Sequence, residues 1–106
     1  MKNGLQKEDF GTIISEAMID CYGLSEELFC LLTYLQEELL FPFKIHLLGL
    51  NLEVIAITEH QNVPRLVVLR EGAKYSIDIT DCEVVDKKSR NHLLIESFKH
   101  WFSLIF

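Results

Sequence analysis

Sixteen of the 106 residues are Asp or Glu, and several of them fall into two groups whose spacing can do chemistry. One group is Asp20, Glu26 and Glu27, with Glu37 and Glu38 further along the same stretch; the other is Asp78, Asp81, Glu83 and Asp86. Carboxylates are hard oxygen donors. Calcium takes about six to eight oxygens, at roughly 2.3–2.6 Å, from Asp, Glu, carbonyls and water, so the chemistry in question is binding of a divalent cation. Geometry limits either group. Glu26 and Glu37 share a helical face but stand roughly 16 Å apart along the axis, so they cannot hold one ion unaided. Glu37 must borrow oxygens from elsewhere in the fold, whereas Asp20 can meet Glu26 or Glu27 across a turn at Gly23. Asp81 and Glu83, two apart on an expected strand, point the same way and can share an ion with Asp78 across the intervening turn. On spacing alone the commoner reading of these acids is solvated faces that keep a protein of charge −6 in solution.

Other chemistry finds little support. The chain has no G-x-S-x-G elbow, no phosphate-cradling glycine loop, no H-E-x-x-H and no EF-hand loop. Cys82 with a histidine is the one conceivable nucleophile and base, but a buried structural cysteine is the commoner fate on a strand. His92 and His100 lie about 80° apart round a helix, and His46 and His60 fall in a strand and a loop, so histidine-bound zinc is not expected. The protein reads as non-enzymatic. Cys21, Cys30 and Cys82 are odd in number and never spaced C-x-x-C, which argues against a disulfide framework or a zinc knuckle. Three reduced thiols and a cytoplasmic setting are the expectation.

A charge of −6 repels nucleic acid and anionic membrane surfaces and favours cations or basic partners. The first nine residues lack the apolar core of a secretory signal. The longest apolar run, Leu39 to Leu48, carries Pro42, Lys44 and His46 and falls short of the roughly 18 residues that span a bilayer. A soluble protein with no membrane partner follows. An apolar fraction of 49% with 25% charged residues is that of a globular chain.

The elements that must position the acids follow from periodicity. Phe10, Ile13, Ile14, Ala17, Met18 and Cys21 recur at helical spacing, giving a first helix from about Glu8 to Cys21 that Gly23 ends. A second helix should start on Ser25 as N-cap, with Leu24 and Phe29 as a hydrophobic staple, and run to about Leu40. Its buried stripe is Leu28, Leu31, Leu32, Leu35 and Leu39. One rod bent at Gly23 stays open, since glycine costs only about 1 kcal/mol inside a helix. Pro42 stops the second helix.

Five short β segments follow: Phe43 to Leu48, Leu52 to Thr58, Arg65 to Glu71, Lys74 to Ile79 and Cys82 to Val85. Glu71-Gly72-Ala73-Lys74 reads as a tight hairpin. A last helix, about Asn91 to Phe102 with Ser89 or Asn91 as N-cap, places Leu94, Ile95, Phe98, Trp101 and Phe102 on one side. The fold class is α+β: an N-terminal helical pair, a five-stranded antiparallel meander forming an SH3-like barrel or bent sheet, and a C-terminal helix. One domain over residues 1–106 is expected, with residues 1–8 as a candidate disordered tail. Trp101 to Phe106 is strongly apolar, and either packs on the sheet or offers a surface for self-association or a protein partner.

Three stretches carry a family likeness: Ile19-Asp20-Cys21-Tyr22, Tyr34 to Lys44, and Ile79-Thr80-Asp81-Cys82-Glu83. They resemble the small cyanobacterial-type (CcbP-like) calcium-binding protein family over about Glu16 to Phe102. The most specific piece is residues 34–43, Tyr-Leu-x-acid-x-Leu-x-Phe-Pro-Phe. The resemblance implies calcium held by side-chain carboxylates outside any EF-hand, in a buffer or weak sensor. Carried over by position, the ligands would be Glu37, Asp20, Glu26 and Glu27. Gly23 and Gln36 stand where the family leads one to expect acids, which implies weakened or lost affinity on a retained fold.

Overall fold

The computed structural model describes residues 9–105, so the expectation of a disordered 1–8 segment and the place of Phe106 lie outside the described residues. Asp9 opens the first helix, α1 (Phe10–Ala17), by accepting a hydrogen bond from the Thr12 amide at 2.8 Å. That helix ends earlier than its periodicity suggests. Asp20 adopts φ 62°, a left-handed conformation that turns the chain before Cys21 can join the helical face. Gly23, at φ 88° and ψ 154°, then occupies a region open essentially to glycine alone and caps the second helix, α2 (Leu24–Glu38). The single bent rod is therefore excluded. Ser25 falls inside the first turn and is not the N-cap. With Gly23 as the N-cap, Leu24 is the first residue of the helix and not the one before the cap, so Leu24 and Phe29 do not hold the positions of the expected staple. Glu26 instead reaches back to accept from the Tyr22 amide at 3.1 Å. The apolar stripe of α2 is buried along its whole length, from Leu28 to Leu39.

After the cis Phe41–Pro42 bond come β1 (Phe43–Leu47), β2 (Leu50–His60), β3 (Val63–Arg70) and β4 (Ala73–Asp78). The two-residue loops between them, Leu48-Gly49, Gln61-Asn62 and Glu71-Gly72, have positive φ at both positions. That is the geometry whose twist matches a hairpin, and it explains why the strands are longer and the loops tighter than expected. A 3₁₀ turn, Ile79–Asp81, leads to the short β5 (Glu83–Val84), which pairs with β1, giving the strand order β4-β3-β2-β1-β5. Strands β4 and β5 are thus opposite edges. In a flat sheet they would lie about 19 Å apart, but the tight link between them reaches only about 14 Å, so the sheet has to curl. A bulge between Val54 and Ala56 on β2 adds to the bend. The result is an open, curled antiparallel sheet, all of whose neighbouring strands run antiparallel.

The third helix, α3 (Arg90–Ile105), begins on Ser89, whose hydroxyl accepts from the His92 amide at 3.2 Å. It buries Leu94, Ile95, Phe98 and Trp101 against Ile13 of α1, Leu35 of α2, and Ile45, Val54, Leu66 and Val84 of the sheet. One core unites all the elements. The buried Asn91 fastens the end of α2 to the start of α3, accepting from the Leu40 amide at 3.0 Å and donating to the Leu40 carbonyl at 2.8 Å. Among the described residues no helix is long and apolar enough to cross a membrane.

Candidate functional site

On α2, Cys30, Thr33, Tyr34 and Glu37 recur at spacings of three and four, so they line one side of the helix. Opposite them α1 presents Glu16 and the small, buried Ala17. With Phe29 these residues enclose a shallow pocket of about 240 Å³. Glu37 and Glu16 are both exposed at its rim. The Tyr34 hydroxyl donates to Glu16 Oε1 at 2.9 Å and accepts from Arg90 Nη2 at 3.4 Å, while Arg90 Nη1 donates to Glu38 Oε1. Burial, followed by the hydrogen bond to Glu16, holds the Tyr34 phenol above its ordinary pKa. Its proton therefore stays in place at neutral pH and keeps Glu16 oriented. Thr33 donates its hydroxyl proton to the Phe29 carbonyl at 2.9 Å, which leaves its oxygen lone pairs as acceptors.

The acids singled out by spacing meet different fates. Glu37 lies in the pocket. Its neighbour Glu38 is paired with Arg90, and Glu26 Oε1 is engaged by the Tyr22 amide. Asp20 is exposed on the turn between the helices, and Glu27 is half-buried in the first turn of α2. Asp78 caps the 3₁₀ turn, accepting from the Thr80 amide at 2.9 Å and the Thr80 hydroxyl at 2.8 Å. Asp81 sits in that turn and not on a strand, so the expected alignment of Asp81 with Glu83 does not arise. Glu83 is on β5, opposite His46. Asp78 and Asp81 line a separate groove of about 610 Å³ together with Arg65, which lies opposite Asp78 in the β3–β4 register. The Arg65 guanidinium donates to the Ser76 hydroxyl at 3.2 Å and the Ser76 carbonyl at 3.3 Å, so the groove already has a cation along its wall. Among the described residues no group of three or more His, Cys, Asp or Glu side chains is placed to hold a metal.

Cysteine chemistry departs from expectation. Cys21, displaced from α1 by the turn at Asp20, is bonded to Cys30 on α2, with Cα atoms 6.8 Å apart. Three reduced thiols are therefore incorrect, and the argument they gave for a cytoplasmic setting loses two of its residues. Cys82 is free and fully buried, and its Sγ lies 3.4 Å from the Ile79 carbonyl. Burial pushes its thiol up to about 11, the opposite of what a nucleophile needs.

Glu16, Thr33 and Tyr34 were not legible as site residues, because their role depends on how α1 docks on α2. What the pocket offers is two carboxylates and two hydroxyl oxygens, with the Cys30 sulfur tied up in its bridge. Such a set suits a hard cation that keeps much of its water shell.

No protein-family profile and no curated protein matches the sequence. Among solved structures, Anabaena CcbP superposes with a TM-score of 0.78 at 19% identity, covering 97% of this chain and 96% of that one. At 97% coverage the agreement takes in the helical pair, the curled sheet and α3. This chain is built on the CcbP fold.

Proposed function

We propose that this protein is a non-enzymatic calcium-binding module of low affinity, a buffer or weak sensor, in which Glu37 of α2 and Glu16 of α1 supply the carboxylate oxygens. The observation that carries this reading is that both carboxylates line one pocket, beside the Thr33 and Tyr34 hydroxyls, the apolar Ala17 and Phe29, and the bridged Cys30. The CcbP fold and the excess of negative charge support it. Two carboxylates from separate helices repel each other, and a divalent ion between them relieves that repulsion. Calcium tolerates irregular coordination filled out by water, whereas magnesium demands a near-ideal octahedron, so the looser pocket favours calcium. With only two acids in place, affinity should fall in the weakest class of such sites, about 10⁻⁴–10⁻³ M.

Unfolding temperature in chelator and then in excess calcium tests the proposal. At ten times the dissociation constant, mass action gives about 1.4 kcal/mol, or a rise of roughly 5–10 °C for a chain of this size. No rise, or an equal rise with magnesium, would remove it.

A second reading, contact with a protein partner or another copy through the end of α3, is favoured by Leu104 at 70% and Ile105 at 45% exposure, although Trp101 is buried. Light scattering on the full chain and on one ending at Ser103, which keeps the buried Trp101, separates the two. Self-association confined to the full chain supports the contact surface.

A further inference from the structure

Cys30 is both a wall of the acidic pocket and one half of the disulfide, and this double position carries an inference that rests on the calcium reading above. We propose that the Cys21–Cys30 pair is a thiol–disulfide switch that sets the calcium affinity of the Glu16–Glu37 pocket, with the oxidised form binding more tightly.

Helix α1 is held only weakly in register with α2. An eight-residue helix is too short to persist alone, so Glu16 keeps its place only through tertiary contacts. The main packing of α1 is on α3, through Ile13 and the Phe10–His100 ring contact at 5.1 Å. Two ties run to the pocket face of α2: the Tyr34–Glu16 hydrogen bond, and the covalent bridge just beyond the end of α1.

Without the bridge, Glu16 and Glu37 are joined by the whole turn around Asp20 and Gly23 and most of α2. The bridge cuts that covalent path to little more than half. A shorter path lowers the entropy lost when a cation fixes both carboxylates, and affinity rises accordingly. Both cysteines are half-buried and within reach of a small thiol, unlike the fully buried Cys82.

The exchange balances with a small disulfide such as oxidised glutathione as oxidant. One cysteine thiolate attacks it, releasing a reduced glutathione and leaving a mixed disulfide. The second cysteine then displaces the other glutathione. Two protein thiols and one oxidised glutathione thus become the Cys21–Cys30 bond and two reduced glutathiones. Linkage requires the converse effect: calcium must favour the disulfide by the same factor by which the disulfide favours calcium.

The test uses the full chain, equilibrated in glutathione buffers of graded ratio with and without calcium, trapped by alkylation and weighed by mass spectrometry. Calcium titrations of the fully oxidised and fully reduced forms run beside it. We expect the oxidised form to bind calcium at least threefold more tightly, and saturating calcium to shift the squared concentration of reduced glutathione over that of oxidised glutathione, at half-oxidation, by that same factor. The Cys21→Ser/Cys30→Ser variant, checked for folding by circular dichroism, should match the reduced form in every buffer. Failure of the bridge to form, or equal affinity of the two forms, overturns the switch and leaves the calcium reading standing. Absence of calcium binding in both forms overturns the two together.

Discussion

Tyr34 gives its hydroxyl proton to Glu16 across 2.9 Å, and this one bond joins the helix that carries Glu37 to the helix that carries its partner acid. Tyr34→Phe removes it, along with the contact to Arg90. Because the groups are partly solvated, the loss should be about 0.5–1.5 kcal/mol. Denaturant titration reads it as a lower midpoint at unchanged slope. Calcium affinity should fall further than stability does, since Glu16 is no longer aimed.

Asn91 is a further tether between helices, and its partners are backbone groups. Asn91→Ala leaves both the amide and the carbonyl of Leu40 without their protein partner, which should cost about 1–3 kcal/mol. For a chain of this size the thermal midpoint should drop by roughly 4–8 °C per kcal/mol, as differential scanning calorimetry would record.

Gly23 holds a backbone conformation that side chains resist, yet among the described residues, its two chain neighbours aside, no atom lies within 4 Å of the place a Cβ would take. Gly23→Ala should therefore destabilise through the backbone alone, by about 1–3 kcal/mol, measurable by urea unfolding. An equally stable alanine variant would mean that the break between α1 and α2 is drawn wrongly.

Cys82 predicts a pH dependence. Burial raises its thiol from 9.0 to about 11 in the folded protein, so the folded state holds this proton more tightly than the unfolded chain does. The stability it contributes is complete below pH 9.0 and is lost as pH rises through about 11. Between those values, unfolding free energy should fall more steeply in the parent protein than in Cys82→Ala. Parallel curves would show that the thiol titrates normally.

Local rules reached much of this fold. Helical spacing exposed the buried stripe of α2, short apolar segments of strand length exposed the strands, and Pro42 marked the passage between them. The residues that misled were those whose conformation is decided by tertiary contacts. Cys21 continues the periodicity of α1 perfectly well, but the chain turns at Asp20 and carries it across to Cys30, a pairing that their separation along the sequence does not announce. Ser25 is a good capping residue displaced by a glycine two positions earlier. The acids show the same limit. Glu37 stood out for its position beside Phe41-Pro42-Phe43, whereas Glu16 has no local signature and enters only when α1 lies on α2. Asp78 and Asp81 carry the right charge, but the strand register sets Arg65 beside them.

Calorimetric titration with calcium of the metal-free parent protein, and of Glu37→Gln and Glu16→Gln beside it, addresses the proposed role most directly. Glutamine keeps the shape of each side chain, and at Glu16 it keeps an acceptor for Tyr34, so only the charge is withdrawn. One weak calcium site in the parent, at least tenfold weaker in either variant, is the expected result. A parent protein that gives no binding heat with calcium, or a Glu37→Gln variant that binds as the parent does, would contradict it.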